Sequence, residues 1–192
     1  MAYQPKSYRK FLAGTVSAAL VASAIGPVAA SAAEKQEVVF SDVAADYQYA
    51  EQIYALANAG VIGGYPDGTF KPKAEITRGQ AAKMFVRALN LEIPEDLAAF
   101  TDIPVDHKDQ ELVEAAAAVK AAGIFTGKDG VFGAGDKLTR QQMASVLVRA
   151  FELEANEEVE VTLTDLDQAH ASHRENISIL FQNGVTTGRN NG

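Results

Sequence analysis

Two arginines stand one residue inside the start of an expected helix. Arg78 lies in Ile76-Thr77-Arg78-Gly79-Gln80 and Arg140 in Leu138-Thr139-Arg140-Gln141-Gln142. An arginine at that place sets a planar fork of N–H donors beside the unpaired amides and positive end of the helix, a site suited to a carboxylate or phosphate. Cations are electrostatically disfavoured at a helix N-terminus, so placing one there twice points to a task. The competing reading is a salt bridge to a neighbouring acid. Thr77 with Gln80, and Thr139 with Gln142, have the spacing of a capping box, in which the hydroxyl accepts from the N3 amide and the glutamine reaches back to the cap.

Other chemistry is sparse. His170 and His173 are three apart near an expected helix start and could share a face around a metal, or serve as polar surface residues, while His107 lies in a different stretch. Asp67 and Asp129 sit in turn-like segments, where an aspartate shapes the turn or, with more oxygen ligands than are nearby, could bind calcium. The chain has no cysteine, which removes disulfides, thiolate nucleophiles and cysteine metal sites. No nucleophile, base and metal set stands out, so the chain reads as a non-enzyme that needs no cofactor.

Residues 1–32 read as a secretory leader. Lys6, Arg9 and Lys10 precede an apolar run from Phe11 to Ile25, Gly26-Pro27 break it, and Ala30-Ser31-Ala32 offers small residues for cleavage. The run is shorter than the ~20 residues of a bilayer span, and no membrane span is expected in the mature chain. Of 17 basic residues, 14 lie outside the leader against 25 acidic ones, a net charge of −11 for the exported part. Such a chain repels phosphate backbones at long range, which argues against nucleic acid as a partner. Export without cysteine fits a Gram-positive surface.

The elements that must carry the two arginines repeat. Phe40-Ser41-Asp42 recurs as Phe100-Thr101-Asp102 and, weakened, as Leu163-Thr164-Asp165, at periods of 60 and 63 residues. Downstream of each comes a helix-closing glycine, Gly60, Gly123 or Gly184. Counting back from it aligns Ile53, Ala116 and Ile177, then Leu56, Val119 and Leu180, as one buried helical face. A second helix starts at each capping box, with an apolar face of Ala81, Met84, Phe85, Ala88 and Leu89, matched by Met143, Val146, Leu147, Ala150 and Phe151. Each unit is therefore helix, loop, helix, and is too small to bury its faces alone. The units expected are 40–93, 99–154 and 161–192, the last stopping inside its loop.

With Phe40, Asp42 and Val43, the Gly60-Val61-Ile62 helix end, the Gly64-Tyr65-Pro66-Asp67-Gly68-Thr69-Phe70 turn and Ile76-Thr77-Arg78, the chain resembles the S-layer homology family. The resemblance covers nearly everything after the leader. It implies a mainly α fold in which three tandem repeats form a pseudo-threefold helical bundle, here with the third repeat incomplete. It also implies inter-repeat grooves that bind secondary cell wall polymer attached to peptidoglycan, often bearing pyruvate ketals. The glycan contacts so implied are Thr77, Arg78 and Gln80, then Thr139, Arg140 and Gln142, together with Asp42, Asp102, Gly64 and Tyr65.

On this resemblance the chain is expected to anchor a secreted S-layer protein, assembled with other copies in a lattice, to a bacterial cell wall. Two alternatives are the anchor of a cell-wall hydrolase whose catalytic domain lies elsewhere, and a purely self-associating module in which the arginines make inter-repeat ion pairs. The sequence departs from the family in two places. Members commonly carry a tryptophan after the opening motif, and this chain has none, with Gln48, Lys108 and Ser172 at about the corresponding places. The second turn reads Thr126-Gly127-Lys128-Asp129-Gly130, and its groove is expected to be the weaker.

Overall fold

The computed structural model describes residues 38–188. The leader expected over 1–32 and the chain from Arg189 to Gly192 lie outside the described residues. Within them the chain is mainly helical, with no named strand: α1 Ala50–Asn58, α2 Arg78–Leu89, α3 Gln110–Ala121, α4 Arg140–Ala150 and α5 Ala171–Gln182, with a 3-10 turn at Leu166–Gln168 before the last. No helix among the described residues is long and apolar enough to cross a membrane. The described residues fall into two compact units, 38–74 and 75–188.

In the unit 38–74, Phe40, Val43, Ile53, Ala57, Val61 and Ile62 are buried. The Phe40 ring lies 5.9 Å from that of Tyr54 and 5.4 Å from that of Phe70. The Tyr54 hydroxyl donates to the Val43 carbonyl at 2.9 Å. Leu56, expected on the buried face, is 37% exposed, whereas its counterparts Val119 and Leu180 are buried. Among the described residues α1 is the single helix of the unit 38–74, which offers the row at Leu56 no second helix.

In the unit 75–188, α2 packs against α3 and α4 against α5. Each pair joins the second helix of one sequence repeat to the first helix of the next. Ala81, Ala82 and Phe85 of α2 share a core with Val113, Ala116 and Val119 of α3 and with Phe100, Ile124, Phe125 and Phe132 from the loops. Full burial of one such phenylalanine contributes about 1.5–3 kcal/mol. On the rim, Lys83 bonds both Asp109, which caps α3, and Glu111, while Arg87 also reaches Glu111. Ion pairs this exposed add little, so the apolar contact holds the pair together. α4 buries a second row, Ala144 and Val148, against Ile179 and Leu180 of α5.

The expected caps are present. Gln80 N donates to Thr77 Oγ1 at 3.3 Å and Thr77 N to Gln80 Oε1 at 3.0 Å. Thr139 and Gln142 repeat the arrangement at 3.4 and 3.0 Å. The first helix of each repeat ends alike, with Val61 N donating to Leu56 O, Ile124 N to Val119 O and Val185 N to Leu180 O, after a glycine of positive φ in each case.

Gly127 has φ +67°, and an added Cβ would lie 2.6 Å from the Phe100 ring and 2.7 Å from the Val131 carbonyl oxygen. Gly123 has φ +70° with nothing within 4 Å of such a Cβ. Gly123→Ala is expected to cost about 1 kcal/mol, the left-handed backbone penalty alone. Gly127→Ala meets that penalty and a clash with backbone, and is expected to cost more than about 3 kcal/mol. Paired urea titrations read by helical circular dichroism measure the difference.

Candidate functional site

The loop that faces Arg78 is fixed before any side chain reaches it. The Asp102 carboxylate accepts from Phe132 N at 2.7 Å and from Gly133 N at 2.8 Å, and Thr101 N donates to Gly130 O at 2.9 Å. The first repeat has the same clamp, with Asp42 accepting from Phe70 N and Lys71 N, each at 2.7 Å, and Ser41 N donating to Gly68 O. The opening Phe-x-Asp motif is thus a loop clamp. The carboxylates of Asp42 and Asp102, expected as glycan contacts, are engaged with their own chain's amides.

That loop then organises Arg78. Its Nε donates to the Phe132 carbonyl at 2.7 Å, and its guanidinium carbon lies 5.2 Å from the ring centres of both Phe125 and Phe132. The backbone amides of Arg78 and Gly79 donate to Asp136 O and Ala134 O, each at 2.9 Å, and that of Gln80 is taken by the cap. The first amides of α2 are therefore used by the chain, and the anion site expected at the helix end reduces to the side chain. No ion pair within 4.0 Å involves Arg78 or Arg140 among the described residues. Burial pushes the Arg78 pKa down, with Asp136 and Asp102 acting in opposition.

Arg78 opens on a groove of ≈760 Å³ whose wall also includes Lys128, Gln142, Ser145, Arg149 and His173. The altered second turn, expected from the sequence to mark the weaker groove, lines this one and brings Lys128 to it. Asp129, Asp136 and Lys137 line it too, Lys137 being paired with Glu75. Arg140 stands in different surroundings: its Nη2 donates to Thr186 Oγ1 at 3.0 Å beside a mostly apolar cavity of ≈490 Å³ lined by Met143, Leu147, Leu163 and Leu180.

The remaining expected contacts are placed as follows. Thr77, Gln80 and Thr139 are occupied by their caps. In the unit 38–74, Gly64 has φ +67° and is tight against the Phe40 ring, while Lys71 Nζ lies 4.2 Å over the Tyr65 ring. Asp67 is held at a pKa of about 2 by the Thr69 hydroxyl and by Lys71. His170 caps α5 and pairs with Ser172, whereas His173 pairs with Ser145 at 2.7 Å.

A family profile for the S-layer homology domain matches residues 39–82 and 99–144. The chain belongs to the S-layer homology family. Its sequence is 34% identical over 184 residues, 95% of the chain, to the S-layer protein sap of Bacillus anthracis. It is 38% identical over 190 residues, 98% of the chain, to the surface-layer 125 kDa protein of Lysinibacillus sphaericus. An endoglucanase of Bacillus sp. (strain KSM-635) is 36% identical over 148 residues, 76% of the chain. The chain spans 22%, 15% and 15% of the lengths of these relatives.

Within the S-layer homology repeats, sequence reasoning missed Arg149, Ser145 and His173 as groove residues, and saw Lys128 only as a departure from the turn motif. Ser145 carried a signal, a small polar residue between the apolar positions Ala144 and Val146 of an amphipathic helix. His173 offered only its helical spacing.

The clamp carboxylates make acid stability a readout of the repeat. At Asp42 the Phe70 amide, and at Asp102 the amides of Phe132 and Gly133 acting against burial, hold the pKa below the usual range. Their folded values lie below their unfolded ones, so the stabilisation is complete above about pH 4 and is lost as pH falls through the folded values. Asp102→Ala is expected to cost about 2 kcal/mol at pH 7. The gap from wild type should shrink as denaturant titrations move from pH 5 to pH 2.

Proposed function

We propose that this chain anchors a surface protein to the bacterial cell wall by binding an anionic secondary wall polymer in the groove headed by Arg78, with Arg140 heading a weaker second contact. The observation that carries the reading is the state of Arg78. Its guanidinium carbon lies 5.2 Å from two phenylalanine ring centres and its Nε donates to a carbonyl, while its Nη groups have no ion-pair partner among the described residues. Such a fork is pre-organised for a carboxylate, and the preparation lowers the ordering cost on binding. Lys128 and Arg149 add positive potential in an otherwise acidic chain, which steers an anion to this groove.

The S-layer homology assignment supports the wall as the location and S-layer proteins as the carriers, including self-association in a lattice. Export through a leader at 1–32, the repeat bounds 40–93, 99–154 and 161–192, and a pyruvate ketal as the acid group belong to the same proposal. So does the set of contacts expected from Thr77, Gln80, Thr139, Gln142, Gly64 and Tyr65, as second neighbours of the arginines or as sugar contacts. The endoglucanase relative supports a second reading, in which the module anchors an enzyme carried on the same chain. The binding chemistry is the same in both.

Cosedimentation with purified sacculi tests the proposal. The chain should pellet with untreated sacculi and stay in solution once the secondary polymer has been removed. Loss of one charge-assisted fork, about 2 kcal/mol, should weaken pelleting roughly 30-fold in Arg78→Ala, with a smaller effect in Arg140→Ala. Arg78→Lys, which keeps the charge but not the fork, should fall between Arg78→Ala and wild type. Binding indifferent both to the polymer and to Arg78 overturns the proposal in favour of self-association.

A further inference from the structure

Ser145 is the one polar side chain in the core among the described residues, 2% exposed on the face of α4 that meets α5. Its neighbours in that interface are Ala144, Val148, Ile179 and Leu180, and an apolar side chain would fill the place without needing partners. Instead Asn176 Nδ2 donates to Ser145 Oγ at 3.0 Å, and Ser145 Oγ pairs with His173 Nδ1 at 2.7 Å. A buried hydroxyl so served fixes the ring of His173 in place.

The hydroxyl can pair with that ring in either charge state. With Asn176 donating to it, Ser145 can give its own proton to Nδ1 of the neutral imidazole. When the imidazole is charged, Nδ1–H donates to Ser145 Oγ, which accepts both bonds while its own proton loses the ring as acceptor. His173 can therefore change protonation without leaving its seat. The seat is on the groove wall, with Ser172 beside it.

We propose that His173 is a proton-dependent contact of this groove, so that binding of a carboxylate-bearing glycan is coupled to partial protonation of a residue of α5. This inference rests on the proposed binding of an anionic polymer in the groove. Around His173 stand Arg149 of α4, the imidazole of His170 at the cap of α5, 6.0 Å away, and Arg78 and Lys128 in the same wall, with Asp129, Asp136 and the paired Lys137 further along it. Arg174 and Glu175 follow it on α5, Arg174 being spent on the carbonyls of Asp167 and Ala169. Burial first, then His170 and Arg149, hold its imidazole below the ordinary value, so it is neutral in the empty groove at pH 7. A carboxylate placed between Arg78, Lys128 and Arg149 would offset those cations and raise the His173 pKa. By linkage the groove then holds the anion more tightly as pH falls.

The test follows the imidazole signals of His107, His170 and His173 by NMR across pH 5–8, with and without glucuronate, a sugar carboxylate that stays ionised throughout this range. Cosedimentation with polymer-bearing sacculi is run at pH 7.5 and 5.5 on wild type and on His173→Asn, which keeps a polar atom near the Nδ1 position. We expect the His173 midpoint to lie below the ordinary imidazole value and to move up with glucuronate. Wild type should bind sacculi about three-fold more tightly at pH 5.5 than at pH 7.5, and His173→Asn should bind with a flat profile. An unmoved His173 midpoint, or the same pH profile in wild type and His173→Asn, overturns the inference, while dependence on polymer and Arg78 in the same assay leaves the anchoring proposal standing. A midpoint that moves with glucuronate in a chain that ignores sacculi at both pH values supports His173 as an anion contact and overturns the wall polymer as its ligand.

Discussion

A carboxylate that accepts two successive backbone amides, Asp102 on Phe132 and Gly133, governs the geometry of the unit 75–188. Those amides belong to the loop whose Phe132 carbonyl receives Arg78 Nε and whose ring lies against the Arg78 guanidinium. Because an ionised carboxylate is acceptor-only and these bonds are charge-assisted, the clamp fixes the direction of the loop as well as its position. Gly127 completes it, since only a residue without Cβ lets the Phe100 ring and the Val131 carbonyl approach as they do. The first repeat applies the same solution through Asp42, Gly64 and Phe40.

From that clamp follows the unequal fate of the two arginines. Sequence places Arg78 and Arg140 alike, at the first position of a capped helix. Arg78 meets a clamped loop with two phenylalanines and acquires an orientation. Arg140 meets Thr186 at the position that corresponds to Phe125, and bonds its hydroxyl instead. Identical local chemistry thus gives one rigid donor fork in a cationic groove and one exposed arginine beside an apolar hollow.

The helix pairing explains why the groove draws on more than one repeat. α2 is closed by α3 and α4 by α5, so no repeat of the unit 75–188 owns a complete core. The groove inherits this arrangement: Arg78 comes from α2, Lys128 from the loop after α3, Ser145 and Arg149 from α4, and His173 from α5.

The sequence by itself determined the local elements: the capping boxes at Thr77 and Thr139, the glycine-closed helices, the apolar faces at helical spacing and the repeat. These depend on interactions within a few residues, where spacing is enough. The arginines of the candidate site were legible for the same reason. Tertiary structure alone decided that helices pair across repeats, that Leu56 stays exposed, that Asp42 and Asp102 are engaged with backbone amides, and that Ser145, Arg149 and His173 join Arg78 in one groove. Each of those outcomes depends on which distant surface arrives opposite a side chain. That is set by the packing of residues tens of positions apart, and no periodicity within one element encodes it.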